Sequence, residues 1–183
     1  MDLRAEQDHD HDSVLGLHRS AFGEHGNVVA GLVAALRRDD PAALSLVAEE
    51  AGEIVGHVMF THGLLDAPRR LAPVQVLSPL AVHPEHQHRG IGSALVRRGL
   101  HLLDGRGVPL VFLEGDPAYY SRLGFRAGGE HGFRKPSLRI PDPAFQVVTL
   151  SAYEPWMTGT LVYSATFWDA DCVGLRDPAA TVP

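Results

Sequence analysis

The chain of 183 residues contains a single cysteine, Cys172, so no intramolecular disulfide can form and a reducing, cytoplasmic compartment is expected. It contains a single lysine, Lys135, and nearly all its positive charge is arginine, which a coding bias explains. No apolar run approaches the length of a membrane span, and Met1-Asp2-Leu3-Arg4 does not open a signal segment. A net charge of -6 gives no global attraction to nucleic acid or to anionic membranes. Two well-known phosphate loops are also missing. There is no Gly-x-x-x-x-Gly-Lys, and Leu95 stands where a Gly-x-Gly-x-x-Gly loop starting at Gly90 needs its last glycine. What is present is 45% hydrophobic and 21% charged residues, the composition of one well-filled globular core.

The hydrophobic pattern predicts a mixed α/β domain. A short strand is expected over residues 2–6. Asp8 to Asp12 reads as a solvated lead-in, with Asp12 or Ser13 as the N-cap of a helix running to Phe22. A second helix carries Val28, Val29, Leu32, Val33 and Leu36 on one side and stops at Asp39-Asp40-Pro41. Strands follow at 43–49 and 54–62, joined by a turn at 50–53. The run from Pro73 to Val82 reads as an apolar strand that must bulge or bend at Ser78-Pro79, because proline cannot donate to a ladder. A helix is expected from Gly92 to Asp104, a buried strand at 108–114 and a short helix at 117–123. Late strands are expected at 145–151 and 160–163, with fraying beyond Gly174. Leu44, Leu46, Val55, Val58, Val74, Val76, Val111 and Leu113 are expected in the core. Residues 1–152 would be the main domain and 153–183 a C-terminal extension packing on it or extending it.

The segment from Leu80 to Leu95 joins a strand to a helix. Backbone N–H groups at a helix start have no partner within the helix, and together with the positive dipole end they favour a phosphate. Gly90 and Gly92 lack a Cβ and let a pyrophosphate approach the main chain, with Arg89 or His88 adding charge. Gln87-His88-Arg89-Gly90-Ile91-Gly92 resembles the Arg/Gln-x-x-Gly-x-Gly/Ala signature of the GNAT N-acetyltransferase superfamily. Tyr120 to Phe125 is similar to the family's Tyr-x-x-x-Gly-Phe element, and residues 115–120 and 144–148 resemble its YhbS-like branch. The resemblance covers about residues 2–150. It implies a GNAT fold, a mostly antiparallel sheet with one splayed parallel strand pair. It further implies acetyl-CoA as donor, direct transfer to an amine in a ternary complex, and room for a homodimer. Leu80, Ala81 and Val82 would run along the pantetheine, and Gln87, His88, Arg89, Gly90, Ile91, Gly92 and Ser93 would hold the pyrophosphate.

Amine acetylation needs an uncharged amine, donors for an oxyanion and a stabilised thiolate. N–H groups freed at Ser78-Pro79 could serve the oxyanion, or the bend could simply relieve twist. Tyr120 occupies the family's tyrosine position and is the candidate acid, a phenol of pKa about 10 facing a thiolate of about 8.5. Its alternative is only packing beside the donor or ordering the donor's sulfur. Glu114 interrupts an apolar strand end and is the candidate base. Its alternatives are capping the helix at Pro117, pairing with an arginine, or yielding to a water chain, with Glu50, Glu85 and His83 as weaker candidates. His83, His86 and His88 suggest a metal by count alone, and without a cysteine or placed carboxylate a polar loop role is preferred. Trp156 and Trp168 read as packing rather than as acceptor-site walls, and Arg69-Arg70 as solvated. A non-catalytic acetyl-CoA-binding sensor is the competing function; the acceptor amine is left open.

Overall fold

The structure, a computed structural model, describes residues 1–175. Strand β1 (Asp2–Ala5) leads through a 3-10 turn into helices α1 (His11–Phe22) and α2 (Gly26–Asp39). Strands β2 (Leu44–Glu50), β3 (Glu53–Asp66) and β4 (Leu71–Val82) form a meander. Helix α3 (Ile91–Gly105), β5 (Leu110–Glu114) and the short helix α4 (Pro117–Tyr120) follow. The remainder comprises β6 (Arg126–Ala127), β7 (Phe133–Arg134), β8 (Phe145–Thr149), β9 (Gly159–Val162) and α5 (Ala165–Asp169). The main sheet runs β1-β2-β3-β4-β5-β8-β6, and β9 joins it by pairing with β3 and β7. Neighbours are antiparallel except β4–β5 and β7–β9. This is the expected mixed α/β sheet with a parallel pair at its centre.

The period of two in β5 sorts its side chains. Val111 and Leu113 pack with α3, whereas Leu110 and Phe112 pack with α2, α5 and the C-terminal segment. Both faces are covered, so the strand reads as a continuous apolar run. All eight positions expected in the core are buried. Helix α3 buries Ile91, Leu95, Val96 and Leu103 against the sheet, while Arg97 and Arg98 face solvent.

Several boundaries moved. The β3–β4 hairpin is longer than expected, pairing out to Asp66 and Leu71, because the antiparallel ladder continues past the apolar stretch. Asp8, His9 and Asp12 are exposed, as a solvated lead-in requires, but Asp10 is not. Asp10 is buried and receives both terminal nitrogens of Arg4 at 2.6 and 2.9 Å, while Arg4 also reaches Glu49. Those hydrogen bonds from Arg4 hold the Asp10 carboxyl down at about 2. Arg69 and Arg70 are exposed, as expected, and their guanidinium groups also lie over the Trp156 ring, 5.8 and 5.1 Å from its centroid. The C-terminal residues add β9 to β3, and Met157, Tyr163, Phe167 and Val173 join the larger core. Of the segment expected to fray beyond Gly174, residues 176–183 lie outside the described residues.

Candidate active site

The break at Ser78-Pro79 is a bulge: these two residues oppose the single Met59 on β3. The extra residue inverts the alternation of β4. Val74 and Val76 face α2, but beyond the bulge Leu80 and Val82 pack on the α3 side. Pairing of β4 with β5 is confined to Gln75–Val111 and Val76–Phe112, although β4 runs on to Val82 and β5 to Glu114. The two strands therefore part at the bulge, with a cavity on either side of the opening.

On the α3 side lies a cavity of about 590 Å³. Of the residues expected at the donor, Leu80, Val82, Gln87, His88, Gly90, Ile91, Gly92 and Ser93 line it. Ala81 does not; it alternates to the other face and is buried. Arg89 does not line it either. Its guanidinium turns to Glu50 at 3.1 Å and to His86 Nδ1 at 2.8 Å. Gln87 donates its side-chain amide to the Val82 carbonyl at 3.2 Å, which ties the loop to the strand end.

Gly90 starts α3 at φ +83, a conformation costly for any residue with a Cβ, and open space surrounds it. The helical ladder begins with Ala94 N–H to Gly90 O at 3.0 Å, so Ile91, Gly92 and Ser93 N–H groups have no acceptor in the helix. A Cβ on Gly92 would stand 2.6 Å from the Tyr119 hydroxyl, so this glycine is required by close approach. Tyr119 accepts from Ser93 Oγ at 3.3 Å and its ring meets Tyr120 edge-on at 4.9 Å. Asp116, Tyr119, Arg122 and His86 also line the cavity and were not among the expected residues. For Asp116 the signal was in the sequence: Asp followed by Pro is an N-cap and N1 pair, and its carboxylate accepts from Ala118 N–H at 2.9 Å. Capping of α4 is thus done by Asp116 and not by Glu114.

On the other side of the opening lie two adjoining cavities of about 430 and 260 Å³, which share Phe22, Ser78, Glu114 and Cys172. The parity of β5 puts Glu114 on the Leu110 and Phe112 face, towards the C-terminal segment. There its Oε1 accepts from the Tyr163 hydroxyl at 2.9 Å and its Oε2 from Gly174 N–H at 3.0 Å. Burial pushes the Glu114 carboxyl above the usual carboxylate range, and these two hydrogen bonds and the charge of Arg139 only partly oppose it. No sequence motif announced Tyr163 or Gly174, which lie 49 and 60 residues downstream of Glu114.

Tyr120 stands between the two sides. Its ring lies where a Cβ on Gly115 would collide with it and meets Phe125 edge-on at 5.7 Å. Burial raises its phenol well above the ordinary value, so it remains an O–H donor across the working pH range. Tyr120 and Leu80 line both the α3-side cavity and the smaller cavity opposite. Trp156 and Trp168 line none of the three cavities. Among the described residues no three His, Cys, Asp or Glu side chains converge as a metal site. Among them, too, no helix is long and apolar enough to cross a membrane.

Residues 2–128 match the acetyltransferase (GNAT) domain family. The chain belongs to the GNAT family of N-acetyltransferases. It is 40% identical to the Escherichia coli K12 N-acetyltransferase YjhQ over 136 residues, covering 71% of this chain and 75% of the relative. Among solved GNAT structures, E. coli YhbS in complex with CoA superposes with a TM-score of 0.80 at 31% identity, covering 91% of each chain. A Brucella melitensis GNAT acetyltransferase in complex with acetyl-CoA gives 0.72 at 30% identity, covering 91% of this chain and 97% of that one.

Proposed function

We propose that this GNAT protein transfers the acetyl group of acetyl-CoA to a primary amine by direct attack, with donor and acceptor bound together on opposite sides of the β4–β5 opening. The observation that carries this reading is the wall shared by the two sides: Tyr120 and Leu80 border both cavities, so a thioester reaching Tyr120 from one side meets an amine entering from the other. The donor cavity suits CoA. It offers unpartnered N–H groups at the start of α3 for a pyrophosphate, no side chain on Gly90 or Gly92, and the apolar Leu80 and Val82 for the pantetheine. Both solved relatives named above hold CoA or acetyl-CoA.

In this reading Glu114 accepts the proton that the incoming ammonium must lose, through a lone pair not occupied by Tyr163 or Gly174. The freed nitrogen attacks the thioester carbon, the C–S bond breaks, and the second proton shed by the acetylated nitrogen ends on the departing CoA sulfur, leaving a free thiol and a neutral amide. Tyr120 donates a hydrogen bond to the sulfur as its charge develops. Its raised pKa makes it a donor that retains its own proton, because a phenolate would be stranded in a buried position. The test is release of free thiol from acetyl-CoA with a panel of amines. Tyr120→Phe is expected to lower kcat at least tenfold and leave CoA affinity within threefold. Binding of acetyl-CoA without transfer to any amine, in the native protein, would favour a sensor instead.

A further inference from the structure

The acceptor side differs in chemistry from the donor side. The donor cavity is bordered by Arg122, Asp116, His86 and His88. Among the described residues, the two acceptor-side cavities are bordered by one charged side chain only, Glu114. Ser78 and Cys172 add a hydroxyl and a thiol to both walls, and the larger cavity is otherwise mainly apolar or aromatic, with Phe22 and Phe167 on one hand and Val76 and Pro141 on the other. The Tyr163 ring lies beside Phe167, tilted by 33° with centroids 5.0 Å apart, and its hydroxyl is already committed to Glu114. Arg139 acts on Glu114 through its charge but does not border either cavity; its guanidinium turns to Asp171 at 3.5 Å.

From this lining, and resting on the acetyl-transfer reading above, we infer that the acceptor is a small monoamine with an apolar, ring-bearing body and no carboxylate. One ammonium is matched by one carboxylate. A second ammonium, as in a polyamine or an aminoglycoside, would be desolvated against phenyl and alkyl walls with no counter-ion among the described lining residues. The carboxylate of an amino acid would enter a pocket bordered, among the described residues, by the negative charge of Glu114 and by no positive one. The apolar body, by contrast, gains from the Phe22, Phe167 and Tyr163 rings, and a cavity of about 430 Å³ falls in the size range of small-molecule sites.

The experiment compares 2-phenylethylamine, phenylalanine, spermidine and a lysine-containing peptide with the full chain. Thiol release is followed, and binding of each amine to the CoA-loaded protein is measured by calorimetry. Phenylethylamine and phenylalanine differ only by a carboxylate. The expected result is a kcat/KM for phenylethylamine at least 100-fold above those of phenylalanine and spermidine, with the same order in affinity. A second carboxylate introduced at the wall by Phe22→Glu is expected to move the phenylethylamine-to-spermidine ratio at least tenfold towards spermidine. Phenylalanine, spermidine or the peptide matching phenylethylamine, in rate or in binding, overturns the inference while leaving acetyl transfer intact. Turnover of no amine refutes the catalytic reading instead, and the calorimetric order then still decides the acceptor class: absence of phenylethylamine binding overturns it.

Discussion

Replacing Glu114 with Gln separates its proposed chemistry from its structural contacts. The carboxylate holds two donors, the Tyr163 hydroxyl and the Gly174 N–H. A glutamine can keep both contacts, because its oxygen accepts from Gly174 while its NH2 donates to a Tyr163 hydroxyl that turns to accept. The stability cost is therefore about 0.5–1.5 kcal/mol, well inside the 5–15 kcal/mol margin of an ordinary domain. A general base contributes about 10²–10⁴-fold, or about 3–5 kcal/mol of barrier at 1.36 kcal/mol per decade. Turnover of the variant should fall by at least 100-fold with its denaturation midpoint nearly unchanged. The pH profile gives a second readout. Burial holds the Glu114 pKa above the carboxylate range, so native kcat should fall as pH drops through that raised value, and the variant should lack this acid limb. The stability linkage has the opposite sense: a carboxyl whose folded pKa is raised stabilises below its unfolded pKa, and that contribution is lost as pH rises through the folded one. Steady-state thiol release between pH 5 and 9, with urea denaturation as control, measures both effects. A folded Glu114→Gln protein with kcat within threefold of native and its acid limb intact would refute the base assignment.

Three further outcomes are expected. Gly92→Val puts a Cβ 2.6 Å from the Tyr119 hydroxyl and adds side-chain bulk to a wall of the α3-side cavity, so CoA affinity by calorimetry should fall at least tenfold while the protein stays folded. Asp116→Ala removes the cap of α4 and should cost about 0.5–2 kcal/mol in chemical denaturation. Acid unfolding should proceed in two stages. His18 Nε2 lies 2.8 Å from His57 Nδ1, both rings are buried, and desolvation lowers His18 to about 4 and His57 well below the ordinary value. An unfolded chain binds these protons first, so stability is lost as pH falls from about 6.5 towards 4. Asp10, held at about 2 by Arg4, adds a second loss between about 4 and 2. His57→Gln should flatten the first stage and Asp10→Asn the second, as read by circular dichroism against pH.

The cavity on the α3 side was legible in the sequence because its determinants are local. A strand end, two glycines and a helix start follow one another within residues 80–95, and the physics of a helix N-terminus needs nothing more distant. The Ser78-Pro79 bulge was legible for the same reason, since proline's missing N–H is a property of one residue. The inversion of β4 parity was not, because it depends on Met59 across the ladder. That inversion is why Leu80 and Val82 border the cavity and Ala81 does not. The surroundings of Glu114 on the other side of the opening were hidden in sequence separation. Glu114 stood out as a charge ending an apolar strand, but its partners come from the C-terminal segment, where Tyr163 and Gly174 carry no pattern. In the acidic and histidine-rich stretch at 8–12 the alternating charge correctly signalled solvent for Asp8, His9 and Asp12, whereas the burial of Asp10 depends on Arg4, a contact with no local pattern.

The central claim is that the donor's diphosphate is held by main-chain amides at the start of α3. It is tested most directly by following backbone amide signals during a CoA titration by nuclear magnetic resonance. The largest shifts are predicted at Gly90, Ile91, Gly92 and Ser93, with Glu114 and Phe167 little affected. Shifts centred on Glu114 and Phe167, with residues 90–93 unmoved, would contradict the account.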